Sequence, residues 1–97
     1  MSRISLIIPS KNRHSQIRYA VESGLSIHLI SEVIIVDDCS SPELNMGLLS
    51  NLKINIDVRI VKTTCHGGAQ GARVTGAQVA KNDILLFLDS DDSLIEL

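Results

Sequence analysis

Three carboxylates fall within four residues at Asp89-Ser90-Asp91-Asp92, directly after the apolar run Ile84-Leu85-Leu86-Phe87-Leu88. Side by side they repel one another, and a hard cation offsets that repulsion. Carboxylate oxygens suit Mg2+ or Mn2+, metals often held by one or two carboxylates plus the phosphates of a substrate. The same residues also fit a solvated turn that caps a following helix, where Asp is common. A second acidic pair, Asp37-Asp38, closes the run Val33-Ile34-Ile35-Val36. A carboxylate there can accept hydrogen bonds from a ribose hydroxyl or a base N–H. Its alternative role is a strand-end turn with a helix cap.

Gly67-Gly68-Ala69-Gln70-Gly71 is a glycine-rich loop that opens a helix. Backbone N–H groups at such a helix start can cradle phosphate, and a plain glycine turn is the other reading. It matches neither G-x-G-x-x-G nor the P-loop, since no Gly-Lys-Ser/Thr follows. Arg73 sits in the first turn, where a cation opposes the helix dipole; either it meets an anion or it is an ordinary surface arginine. His66, Cys39 and Cys65 have the chemistry of a base and of nucleophiles. No partner lies near them in sequence, so all three read as structural, with both cysteines as free thiols in a reducing compartment.

These clusters need a scaffold, and the rest of the chain supplies one. Ile4-Ser5-Leu6-Ile7-Ile8, ended by Pro9, is a short apolar run that suits a buried parallel strand. Pro9-Ser10-Lys11-Asn12 follows as a loop. Ile17, Ala20, Val21 and Leu25 recur at helical spacing and predict an amphipathic helix over about 14–26. Val33–Val36 is a second buried strand. Ser41-Pro42-Glu43 is a helix-start signature, with Ser41 as cap, Pro42 in the first turn and Leu44, Leu48, Leu49 and Leu52 on the covered face. Ile54 to Val61 alternates as a half-buried strand does. Ala72, Val74, Gly76, Ala77, Val79 and Ala80 give the next helix a small-sided face able to approach a sheet closely. Lys81-Asn82-Asp83 ends it, Ile84–Leu88 is the fourth strand, and Leu94-Ile95-Glu96-Leu97 starts a further helix.

Repeated strand–helix–strand units with apolar strands imply an α/β fold, a Rossmann-like parallel sheet flanked by helices. Ligands of such sheets bind beyond the carboxyl ends of the strands, near a switch point. The polar clusters follow Ile8, Val36 and Leu88, all at such ends. Length and composition agree: 97 residues allow one compact domain, and an apolar share of 44% is ordinary for a globular chain. A net charge of −2 argues against nucleic acid as partner and against a polybasic membrane-surface segment. With Tyr19 and Phe87 the only aromatics, the core must be aliphatic. The sequence shows no signal peptide and nothing near the ~20 apolar residues of a transmembrane segment. It reads as a cytoplasmic chain, able to serve a pathway at the cytoplasmic face of a membrane.

Four segments together resemble the family 2 glycosyltransferases with the GT-A nucleotide-sugar-binding fold. They are Ser5 to Arg13, Glu32 to Ser40, Gly67 to Ala77 and Ile84 to Asp92, in the family's order and spacing. The resemblance makes residues 1–97 a single partial domain, the N-terminal nucleotide-sugar-binding half. It implies that Pro9, Ser10, Asn12 and Arg13 line the base pocket, that Asp38 pairs with the base, typically uracil, and that Arg73 contacts the base or the diphosphate. Gly68 and Ser90 fall in the same binding set. Asp89 and Asp91 become the family's D-x-D element, holding the ribose and the metal-bound diphosphate, with Asp92 beside them as a further ligand for Mn2+ or Mg2+. The family's general base and acceptor site are expected beyond residue 97.

The implied function is metal-dependent transfer of a sugar from a nucleoside-diphosphate sugar, typically a UDP-sugar, to a glycan or lipid-linked acceptor, as in polysaccharide biosynthesis. The alternative is a nucleotide-binding remnant, a non-catalytic module without transfer. A phospho-acceptor receiver domain also clusters carboxylates at strand ends, but it needs its acidic pair after the first strand, where Pro9-Ser10-Lys11 stand.

Overall fold

A computed structural model describes residues 3–65 and 67–90. Four parallel strands form one sheet: β1 Ile4–Ser10, β2 Ile30–Asp37, β3 Asp57–Lys62 and β4 Ile84–Phe87. Their spatial order is β3-β2-β1-β4. The chain steps outward from β1 to β2 to β3, then returns across β1 to place β4 on its other side. Helix α1, Ile17–Leu25, makes the first crossover, and helix α2, Gly68–Val79, makes the last. Right-handed crossovers in opposite directions put their helices on opposite faces of the sheet.

The side chains record this division. Leu6 and Ile8 of β1 and Val33 and Ile35 of β2 pack with Ile17, Ala20 and Val21 of α1. Ile7, Ile34 and Val36, pointing the other way by strand alternation, pack with Ala72 of α2. The central strands are apolar on both faces because both faces are covered. Each helix is seated at a glycine. A Cβ on Gly24 would lie 2.5 Å from Leu6 Cδ2, and one on Gly76 would lie 2.5 Å from Ile7 Cγ2 and 3.1 Å from Val36 Cγ2. The close approach expected of the small-sided helix is thus made at Gly76.

At the amino ends of the strands a buried carboxylate ties three elements together. Glu32, 2% exposed, shares the α2 face of β2 with Ile34 and Val36. Its Oε1 accepts from Ser5 Oγ at 2.7 Å and from Lys81 N at 2.9 Å; its Oε2 accepts from Arg59 Nη2 at 2.8 Å. Arg59 also donates to Val79 O at the carboxyl end of α2, where a cation suits the dipole. Burial pushes the Glu32 carboxyl upward, but these donors more than offset it and hold it below its usual range.

The structure departs from the sequence expectations at one element. Ser41 does not cap a helix and Pro42 does not open one; residues 41–45 are loop, and only a 3-10 turn forms at Met46–Leu49. Its cap is Asn45, whose Oδ1 accepts from Gly47 N at 2.9 Å. The reason is a competing hydrogen bond: Leu44 N donates to Asp37 Oδ2 at 3.0 Å, which holds the segment against the end of β2. Leu44 and Leu49 are buried all the same. Smaller differences concern bounds, with β3 starting at Asp57 rather than Ile54 and α1 at Ile17 rather than 14. The expected helix start at Leu94–Leu97 lies outside the described residues.

Gly76 provides a test of how α2 is seated. Gly76→Ala gains about 1 kcal/mol of helix propensity but forces a methyl into the Ile7 and Val36 contact, where overpacking costs about 1–3 kcal/mol. Urea denaturation should show a net loss of about 1 kcal/mol. An unchanged or raised midpoint would mean that α2 does not rest on β1 at this residue.

Candidate active site

The carboxyl end of β1 opens the site. Pro9 and Ser10 continue the strand, paired in register with Val36 and Asp37. Ser10 is 3% exposed, and its Oγ has no hydrogen-bond partner among the described residues. A buried hydroxyl of this kind costs stability unless something binds it. The chain then turns at Asn12, whose φ of 56° is a left-handed value that Asn tolerates. Asn12 N donates to Ser40 Oγ at 2.8 Å, and Asn12 Oδ1 accepts from Ser41 N at 2.8 Å. The loop after β1 is thereby clipped to the loop after β2.

The two acidic residues that end β2 point to different tasks. Asp37, 2% exposed, accepts from Ser40 N at 2.9 Å and from Leu44 N at 3.0 Å. Burial pushes its carboxyl up, but the bonds from Ser40 and Leu44 and the charge of Lys62 outweigh that and hold it below its usual range. Asp38 instead borders the open space above the sheet. Its backbone N–H donates to Ser10 O at 2.8 Å, and its Oδ1 accepts from Thr63 Oγ1 at 2.7 Å.

The other wall is the start of α2. Gly68 takes a φ of 58°, and the helix includes the glycine segment from Gly68 onward rather than following it. The first-turn N–H groups of a helix lack intrahelical partners. From the far side, Leu88 N donates to Ile7 O at 3.0 Å, which carries the chain past β4 to Asp89 and Ser90. Arg73 stands in the second turn of α2 rather than the first, because the helix starts at Gly68, and its Nη2 lies 3.7 Å from Asp89 Oδ1.

These pieces enclose a cleft of about 410 Å³ lined by Pro9, Ser10, Lys11, Arg13, Asp38, Gly68, Ala69, Ala72, Asp89 and Ser90. It lies at the carboxyl ends of β1, β2 and β4, beside the β1/β4 switch point where ligands of open α/β sheets bind. Seven of the residues singled out from the sequence line it: Pro9, Ser10, Arg13, Asp38, Gly68, Asp89 and Ser90. Arg73 stands at the rim through its ion pair. Asn12 is used between loops. Asp91, Asp92 and His66 lie outside the described residues. Sequence reading missed Ala72 as lining, and it reached Lys11 and Ala69 only as members of the Pro9–Arg13 and Gly67–Gly71 loops. Lys11 gave a signal, being a cation in the loop that follows the first strand; an alanine has only its helical spacing to offer.

Cys39 and Cys65 are not free thiols: they are joined as a disulfide, with Cα atoms 5.7 Å apart, a separation a bridge spans readily. Distance in sequence hid the pairing. β2 and β3 are neighbours in register, so the loops leaving them meet on the same edge. The reducing compartment inferred from free thiols loses its support.

The model for "Glycosyl transferase family 2" matches residues 5–96. The chain belongs to this family. It is 37% identical over 91 residues to an uncharacterized glycosyltransferase of Haemophilus influenzae, covering 92% of this chain and 29% of that one. It is 35% identical over 92 residues to the Escherichia coli UDP-Glc:alpha-D-GlcNAc-diphosphoundecaprenol beta-1,3-glucosyltransferase WfaP, covering 95% and 36%. The crystal structure of S. aureus TarS 1-349 in complex with UDP superposes with a TM-score of 0.77 at 24% identity, over 94% of this chain and 28% of that one. The fold is therefore the GT-A, Rossmann-like N-terminal half seen in glycosyltransferase structures. The chain spans about a third of the length of these relatives. Among the described residues no helix of this family 2 chain is long and apolar enough to cross a membrane.

The two buried carboxylates predict how the family 2 domain responds to acid. Asp37 and Glu32 titrate below their usual range when folded, so their contribution to stability is complete above the unfolded carboxylate values, about pH 4. It is lost as pH falls below that through the lowered folded values. Unfolding free energy should drop steeply there, and Asp37→Asn should flatten that slope while costing about 1–3 kcal/mol at pH 7. Parallel pH profiles for the two proteins would show that Asp37 is not held as an anion.

Proposed function

We propose that this domain binds a nucleoside-diphosphate sugar, with UDP as its nucleotide, for metal-dependent transfer of the sugar to a glycan or lipid-linked acceptor. The observation that carries the reading is the cleft itself. At one sheet edge it gathers a carboxylate suited to a base N–H, a helix start suited to phosphate, a carboxylate suited to a metal, and the unpartnered hydroxyl of Ser10. Support for UDP comes from WfaP, whose name specifies UDP-Glc, and from the UDP complex of the TarS fold neighbour.

Each residue has a task in this reading. Asp38 accepts a hydrogen bond from the base, and Ser10 gives its hydroxyl a partner in the nucleoside. The first-turn amides at Gly68 and Ala69 face the diphosphate, which a helix start favours. Lys11 and Arg13 supply positive charge to the same cleft. Arg73 stands next to Asp89 and steers that carboxylate toward the phosphates.

Among the described residues no three His, Cys, Asp or Glu side chains form a cage. Asp89 is a hard oxygen donor, 64% exposed at the cleft rim. One or two carboxylates with the rest from phosphate is the habit of Mg2+ and Mn2+, so the site fits such an ion; Asp91 and Asp92 are the further candidates. When bound, the ion screens the diphosphate and stabilises charge on the leaving group. The protein's own part is to hold base, ribose and phosphates so that the anomeric carbon faces an acceptor hydroxyl.

Calorimetric titration with UDP, in Mn2+ and after chelation, tests this reading together with a transfer assay using UDP-glucose. Binding should weaken at least about tenfold in Asp38→Ala and fall on removal of Mn2+. Binding without transfer would favour the nucleotide-binding module. Failure of UDP to bind in the presence of Mn2+ would overturn the proposal.

A further inference from the structure

Asp38 is the residue that would read the base, and a carboxylate can read a base only if its orientation is fixed. Side chains of Asp rotate freely unless something holds them, and an unheld carboxylate accepts from any donor in reach. The structure shows what holds this one. Parallel register pairs Asp37 of β2 with Lys62 of β3, and so brings the next residues, Asp38 and Thr63, side by side. Thr63 N donates to Asp37 O at 3.2 Å, continuing the ladder one step past the strand end. Thr63 Oγ1 then donates to Asp38 Oδ1 at 2.7 Å.

The direction of that bond is set from behind. Cys65 N donates to Thr63 Oγ1 at 3.1 Å. A hydroxyl has one proton and two lone pairs. With one lone pair taken by an N–H, the proton is left for the carboxylate. The same two loops are joined again by the Cys39–Cys65 bridge, one residue after Asp38 and two after Thr63. Asp38 is therefore held at its backbone by Ser10 O, at one carboxylate oxygen by Thr63, and at its neighbour by a covalent link. Its second oxygen, Oδ2, accepts no hydrogen bond among the described residues, and Asp38 lines the cleft.

We infer that Thr63 is a positioning residue for base selection: it occupies one oxygen of Asp38 and thereby aims the other at the ring N–H of a uracil. This rests on the reading of the cleft as a uridine-nucleotide site. Uracil presents an N–H at ring position 3, which a carboxylate oxygen accepts. Cytosine presents a lone pair at the same position, which a fixed carboxylate oxygen repels. A carboxylate free to turn away loses that discrimination, so Thr63 governs the preference for UDP over CDP as well as affinity. Thr63 itself is not among the residues lining the cleft.

The test is calorimetric titration of the full chain with UDP and with CDP in Mn2+, for wild type, Thr63→Val, Thr63→Ser and Asp38→Asn. Wild type should prefer UDP by at least about tenfold. Thr63→Val should weaken UDP about tenfold and bring the UDP/CDP ratio close to one, while Thr63→Ser restores both. In an Asp38→Asn background, Thr63→Val should add no further loss of preference. Should the valine variant fail to fold by circular dichroism, Thr63→Ala serves in its place. A ratio unchanged in Thr63→Val or Thr63→Ala overturns the inference and leaves the uridine-nucleotide reading intact. Failure of wild type to bind UDP overturns that reading, and this inference with it.

Discussion

Strands that all run the same way cannot be joined by tight turns; every connection must cross a face of the sheet. Most of what distinguishes this domain follows from that constraint. Crossovers cover both faces, so β1 and β2 must be apolar on both sides, and Leu6, Ile7, Ile8, Val33, Ile34, Ile35 and Val36 are all fully buried. Crossovers also leave every strand's carboxyl end on one edge. Loops that are remote in sequence therefore converge there, and polar residues that the interior excludes collect there. The cleft results from the direction of the strands before any ligand is considered.

Holding such an edge in shape is harder than building it, because loops carry backbone groups with no ladder to join. Side chains take over. Asp37 serves Ser40 N and Leu44 N, Asn12 serves Ser41 N, and Ser40 serves Asn12 N. The opposite edge uses the same device once, with Glu32 gathering Ser5, Arg59 and Lys81. Both carboxylates are buried, and both are kept ionised by donors that outweigh desolvation. Replacing either by an apolar residue would strand N–H groups, which costs more than the removed charge returns.

Much of this was legible in the sequence where the signal is periodic and local. Short β-branched runs such as Val33–Val36 favour strands covered on both faces, and the small residues around Gly76 announced a helix in close contact. The edge that carries the cleft was legible too, because polar clusters followed three apolar runs. What stayed hidden depends on register. The Ser41-Pro42-Glu43 start signal was locally sound, yet one hydrogen bond to Asp37 from Leu44 N redirected the segment. Cys39 and Cys65 are 26 residues apart, and only the pairing of β2 with β3 makes them neighbours. Thr63 gave no signal at all, since a threonine after a strand is ordinary until Asp38 is known to lie beside it.

The Asp37-Asp38 pair shows why a short acidic motif supports two readings at once. From the sequence the choice lay between a ligand-binding carboxylate and a structural turn. Adjacent residues at a strand end point to opposite sides, so the structural reading holds for Asp37, while Asp38 is left facing the cleft. Asp37 turns into the protein and organises the loop; Asp38 turns toward the cleft. The loop that Asp37 organises is the one that starts with Asp38 and is clipped to Asn12. The structural carboxylate thus fixes the frame within which Asp38 is held at the cleft wall. Placing two like charges in sequence is tolerable because their side chains diverge, and because each finds its own donors: backbone N–H groups for Asp37, a hydroxyl for Asp38.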